Sequence, residues 1–268
     1  THEARGARAA AGKAGAARPS LNRRGAQMVL RAMIASHDLP RVAPPSTCCR
    51  DARTMPSPTL TLSSLPLFPL GTVLFPGGVL PLRVFEVRYL DMVTRCHRAG
   101  APFGVVALEH GHEVRAAGAP PEQLAGIGTL AHITALERPQ PGLLAVQCRG
   151  DQRFRIDRAS QLKHGLWVAD ITLLAADRPL GIPTDLQHTA HALKKLYAGL
   201  RAQSTAAPLP EAGSEQFDDA GWVANRWCEL LPLPDAGRQH LLSLDTPLLR
   251  LEPGAGALGK AGIGARPG

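Results

Sequence analysis

The chain has 268 residues, enough for one or two domains, and a formal net charge of +8. That charge would suggest a nucleic-acid partner, but residues 1–54 hold ten Lys/Arg against three Asp/Glu, while the remaining 214 hold 20 against 19. Of the five cysteines, Cys48 and Cys49 lie near the N-terminus, and Cys96, Cys148 and Cys228 form no C-x-x-C pair and have no His at ligand spacing, so these three read as reduced, buried thiols in a cytoplasmic protein.

The first 54 residues are rich in Ala, Arg, Gly and Pro and poor in large apolar side chains. Such a segment cannot bury enough surface to offset its ordering entropy, so a disordered basic tail is expected. An Arg-rich presequence, a basic arm for nucleic acid and translation from Met55 all fit it. The last is preferred: the chain opens on Thr1, and Met55 stands just before the first patterned segment. On that reading the tail is not made in the cell.

An uncharged run follows, from Thr54 to Leu82. Its length would allow a membrane span, but Pro66, Pro69, Pro76 and Pro81 with Gly71, Gly77 and Gly78 break it into short pieces. Leu65–Leu70, Val73–Phe75 and Val79–Val84 are strand-sized and bounded by breakers, so short buried strands joined by tight turns are predicted. In the next segment Tyr89, Met92, Val93 and Cys96 recur at i, i+3, i+4 and i+7, one face of a helix, with Gly100 as its C-cap. Strands are then predicted over Phe103–Leu108, over GIGTLAHITALE with Ile127, Leu130, Ile133 and Leu136 apolar, and over GLLAVQCRG. Gly150-Asp151 reads as a turn into RFRIDR, and WVADITLLA as the last strand. Strands with one early helix suggest a small barrel or sandwich over about residues 60–178.

From residue 183 the period is helical. Leu186, Ala190, Leu193, Tyr197 and Leu200 make one stripe, capped by Thr184 or Asp185. A second helix carries Phe217, Trp222, Val223, Trp227, Leu230 and Leu231, and a third restarts after Pro234 with Asp235 as cap. The helical unit is expected over 183–252, with 253–268 a flexible Gly/Ala tail.

LPLFPLGTVLFPGGVLPLRVFEVRYLDMV resembles the opening of the Lon N-terminal domain in its stand-alone bacterial form. GIGTLAHI, LLAVQCRGDQRFRI and WVANRWCELLPLP…RQHLLSLDTPLLRLE are similar to later blocks of that family, so the likeness spans roughly residues 62–252. It implies an α+β fold: a PUA-like β pseudo-barrel followed by a small helical bundle. It also implies a substrate-recognition and quality-control role, since in the full protease this domain recognises substrate while an ATPase and a serine-lysine peptidase follow it.

Catalytic, cofactor and metal residues are not expected. The peptidase motif P-K-D-G-P-S-A-G is missing, and no serine has a G-x-S-x-G setting. GAGALGKA, Gly254–Ala261, fits a phosphate loop, but Ala261 replaces the magnesium-binding Ser/Thr and no strand precedes it. His110 and His112, or His188 and His191, are too few for a metal. One charged quartet stands out: Arg83, Glu86, Arg88 and Asp91, where strand becomes helix. It reads as an ion-pair network fixing the junction, with a recognition patch as the alternative. The function expected is non-catalytic binding of unfolded or extended polypeptide, or of a partner protein, with the apolar Pro-rich opening strands as a groove. An RNA-binding module is the alternative, which the near-neutral body disfavours; a peptidase comes third, and a membrane is not expected as a partner.

Overall fold

The computed structural model describes residues 60–110, 122–202 and 209–260; the basic tail, Cys48, Cys49 and His112 lie outside them. Six strands form one sheet: β1 (Thr61–Leu70), β2 (Val79–Val84), β3 (Phe103–His110), β4 (Gln123–Gln140), β5 (Leu143–Gln161) and β6 (Trp167–Leu173). Their order is β2-β5-β4-β3-β1-β6, and a further β5–β6 pairing joins the ends, so β1, β3, β4, β5 and β6 close a barrel. Among the described strands only β1–β3 is parallel. β5 serves twice: Leu144–Arg149 pair with β2 and Phe154–Gln161 with β6.

Alternation along β1 sends Leu65 and Leu67 into a cluster with Val106, Leu130, Phe154, Ala169 and Ile171. Phe68 and Leu70 enter a second cluster with helix α1 (Val87–Ala99). The helix buries Tyr89, Met92, Val93 and Cys96, the face its sequence period marks. Phe68 and Tyr89 stack with ring centroids 4.2 Å apart. Gly100 ends the helix with φ +60°, a conformation glycine adopts without a Cβ penalty.

Three sequence expectations change here. Val73–Phe75 is not a strand; it is a buried loop, with Phe75 fully covered. Nor does Gly150-Asp151 turn the chain: β5 continues through it, with a register shift against β4 between Gly150 and Arg153. Glycine is needed there because a Cβ at 150 would lie 2.4 Å from the Phe75 carbonyl oxygen. The same close approach lets the Gly150 N–H donate to Gly78 O at 2.8 Å. Finally, β1 and the loop after it supply core rather than groove: Leu67, Phe68, Leu70, Leu74 and Phe75 are all buried.

The helical unit comprises α2 (Gln187–Arg201), α3 (Ala220–Leu230), α4 (Asp235–Ser243) and α5 (Pro247–Lys260), with 3-10 turns at Thr184–Leu186 and Glu215–Asp218. The 3-10 turn displaces the expected cap of α2: its N-cap is Leu186, without a side-chain cap bond. Asp219 caps α3 by accepting from the Trp222 N–H at 2.8 Å. Trp227 and Val223 are fully buried in the bundle, and Phe217 and Trp222 meet edge to face at 5.0 Å.

Residues 253–260, expected to be a loose tail, belong to α5 despite the internal Pro253. Packing against α3 holds them. A Cβ on Gly254 would come within 2.9 Å of Trp227 Cγ, so the glycine admits close helix–helix approach, and Leu258 is 1% exposed in the same cluster. The glycines of GAGALGKA thus sit on a packed helix rather than in a phosphate-cradling loop.

Candidate recognition surface

The strongest candidate site is the junction where β2 passes into α1. Strand alternation turns Val84 inward at 2% exposure and leaves Phe85 56% exposed; Val87, the first helical residue, is 74% exposed. The Glu86 carbonyl accepts from the Tyr89 and Leu90 amides at 3.0 and 2.9 Å and so starts the helix. Its carboxylate takes Arg88 Nε at 2.9 Å.

Arg88 is the hub. Its Nη1 donates to Gly165 O, in the β5–β6 hairpin, at 2.7 Å. Its Nη2 lies 3.9 Å from Glu122 Oε1, and the guanidinium stacks over Tyr89 with Cζ 4.6 Å from the ring centroid. Glu122 in turn accepts from Trp167 Nε1 at 2.6 Å. One buried guanidinium therefore ties together the helix start, the start of β4 and the hairpin. Charge-assisted hydrogen bonds of this kind are directional and fix geometry.

Of the four charged residues picked from sequence, the structure joins Glu86 and Arg88. Arg83 and Asp91 are exposed and stand outside the network. Missed were Glu122, Gly165 and Trp167, whose distance along the chain leaves no local signal. Phe85 and Val87 were also missed; the signal was present in F-E-V, where apolar residues bracket a carboxylate that faces inward to an arginine.

A second polar cluster docks the helical unit on the barrel. Arg153, on β5, donates through Nη1 to Leu242 O and Leu244 O at 2.8 and 2.7 Å. Arg226, on α3, donates through Nη2 to Pro76 O at 2.8 Å and to Glu229 Oε1 at 3.0 Å. Arg250, on α5, pairs with Asp177, and Gln239 Nε2 donates to Ile127 O at 2.8 Å. Burial pushes the Glu229 carboxyl up to about 7, against the pull of Arg226 and Arg238.

Catalytic arrangements are not evident among the described residues. Ser243 Oγ donates to its own helix, at His240 O, 2.6 Å away. No group of three His, Cys, Asp or Glu side chains there could hold a metal ion. Cys96, Cys148 and Cys228 are buried and free, and burial pushes the Cys148 and Cys228 thiols up to about 12. A cleft of about 520 Å³ between Arg201 and residues 211–216 is lined mostly by polar groups, with Ala212 among them. No helix among the described residues is long and apolar enough to cross a membrane.

Comparison with known proteins gives these features a family. The model for the ATP-dependent protease La (LON) substrate-binding domain matches residues 64–258. A solved Lon N-terminal domain protein from Xanthomonas campestris is 32% identical, with a TM-score of 0.55, over 72% of this chain and 96% of that one. The N-terminal domain of the Mycobacterium avium complex Lon protease aligns at 17% identity and a TM-score of 0.46, over 74% of this chain and 98% of that one. No curated protein matches. The family model spans well over half of the chain, and the chain belongs to the Lon substrate-binding, or N-terminal, domain family.

Proposed function

We propose that this chain is a non-catalytic recognition module that binds unfolded or extended polypeptide through the β2–α1 junction. The observation that carries the reading is the exposure of Phe85 and Val87 on a rigid frame, in a domain whose family model is that of a protease's substrate-binding part. Exposed aromatic and aliphatic side chains on a fixed scaffold are anchors for peptide side chains. Here the Glu86–Arg88 pair holds the backbone between them.

The RNA reading loses ground for an electrostatic reason. Arg88, Arg153, Arg226, Arg238 and Arg250 are all buried, so a quarter of the body's 20 Lys/Arg serve internal bonds. A nucleic-acid face needs such charges on the surface.

Fluorescence anisotropy with labelled unfolded casein tests the proposal. Saturable binding, micromolar or weaker, is expected for a small apolar patch, without casein cleavage when ATP is added. ATP-dependent degradation would overturn the non-catalytic reading. Tight, strongly salt-dependent RNA binding by a chain starting at Met55 would replace the polypeptide with RNA.

A further inference from the structure

β2 is the strand at which the sheet stops: among the described residues its only strand partner is β5. Which of its backbone groups face outward follows from two contacts. The Gly150 N–H donates to Gly78 O, and the register continues that pair two residues at a time, through Leu80↔Cys148, Leu82↔Val146 and Val84↔Leu144. On the far side of β5, Gln147 O accepts from Thr134 Oγ1 of β4 at 3.0 Å. Gln147 therefore turns its backbone toward β4, and its β2 partner Pro81 turns away from β5. In an antiparallel ladder these directions alternate, so Leu80, Leu82 and Val84 bond β5, while Val79, Pro81 and Arg83 aim outward. Proline is tolerated at 81 because the N–H it lacks would point away from the sheet.

The outer edge therefore carries two N–H donors, at Val79 and Arg83, and three carbonyl acceptors, at Val79, Pro81 and Arg83. Pro81 and Arg83 are exposed, and Val79 is half-buried. No acidic side chain among the described residues pairs with Arg83. Two residues beyond Arg83 stands Phe85, then Val87, the exposed apolar pair. Donors and acceptors alternating at strand spacing are the complement of another extended backbone and of no small ligand.

We infer that an extended segment of client polypeptide adds to the barrel as a strand along the outer edge of β2, pairing with Val79 and Arg83 and seating an apolar side chain on Phe85 and Val87. This deepens the proposed function and rests on it. From Val79 to Phe85 the site spans about 20 Å at strand rise, so a segment of roughly six or seven residues fills it. Pro81 removes the middle donor and weakens the edge as a template for indiscriminate sheet growth. The segment that fits is extended and apolar, with an acidic residue favoured opposite Arg83.

The test uses the full chain and labelled unfolded casein at about 0.5 M salt, where contacts between exposed charges are screened to a few ångströms. Val79→Pro removes one outward N–H at a position equivalent to Pro81, leaving the β5 ladder intact; affinity is expected to fall roughly three- to tenfold. Phe85→Ser with Val87→Ser is expected to reduce it at least tenfold. In the wild type, saturating casein should slow hydrogen exchange at the Val79 and Arg83 amides at least tenfold and leave Leu82 unchanged; this measurement stands even where a variant fails to fold. Casein binding that survives all substitutions within twofold, with both amides unaffected, overturns the strand-addition mode and leaves polypeptide binding in place. Wild-type chain that does not bind casein overturns that reading and the mode with it. A dimer already protecting both amides before casein is added would assign the edge to a second copy and overturn the client.

Discussion

The β2–α1 junction and the barrel–bundle interface both bury arginines, yet they use them differently. At the junction Arg88 bonds a carboxylate two residues away and one hairpin carbonyl. The side chains around it stay partly open, and Phe85 and Val87 face solvent. At the interface Arg153 and Arg226 reach carbonyls 89 and 150 residues away in sequence, joining units that no single element spans. The first arrangement holds a short surface segment in shape. The second holds two packed units together, and little of it is left for a partner.

That contrast ranks the variants. Arg226→Ala is expected to be the most damaging. Arg226 is fully buried, and its loss strands Glu229 in the interface without its 3.0 Å partner. Breaking a buried pair on one side costs about 3–5 kcal/mol. Urea unfolding would measure it. A second variant, Arg226→Met with Glu229→Leu, should recover most of the loss, because replacing both partners with apolar groups is often neutral. A cost below about 1 kcal/mol for the single change would mean that the interface does not depend on this arginine.

Arg88→Ala should cost less, about 1–3 kcal/mol, the range for removing one partner of buried hydrogen bonds. Its sharper effect is local. With the Glu86 and Gly165 contacts gone, the Phe85–Val87 segment loses its frame, so casein affinity should fall more than stability suggests. An Arg88→Ala chain that unfolds as readily as Arg226→Ala would erase the distinction between the two sites.

The same contrast explains what could be read in advance. The face of α1 was legible because Tyr89, Met92, Val93 and Cys96 repeat at helical spacing within ten residues. The pairing of Glu86 with Arg88 was legible because the two are neighbours. Arg226 with Pro76, Arg153 with Leu242 and Arg250 with Asp177 are contacts between distant stretches, and periodicity within an element carries no trace of them. Gly150-Asp151 misled for a related reason. A Gly-Asp pair is a turn signal in isolation, but here glycine answers to the loop at Phe75, which only the folded chain brings near. At Gly254 a Gly/Ala-rich stretch that suggests fraying is held as helix by Trp227.

The smallest expected effect concerns Glu229 and pH. Burial raises its carboxyl from the ordinary 4.5 to about 7 in the folded chain, with Arg226 and Arg238 pulling the other way. Between those two values the folded state keeps a proton that the unfolded chain has released. The contribution of Glu229 to stability is therefore greatest below about 4.5, declines as pH rises through 7, and levels off above it. One proton sets a ceiling of about 1.4 kcal/mol per pH unit. The real slope should lie well under this, because a fifth of the Glu229 side chain meets water. Glu229→Gln keeps an oxygen for Arg226 and removes the titration. Melting temperatures of both chains from acid to mildly alkaline pH would isolate the effect, since every other titrating group is shared. The Gln variant should gain on the wild type as pH rises through the window. A constant difference between the two would show that the Glu229 carboxyl takes its proton at the same pH folded as unfolded, with the pull of Arg226 and Arg238 offsetting its burial.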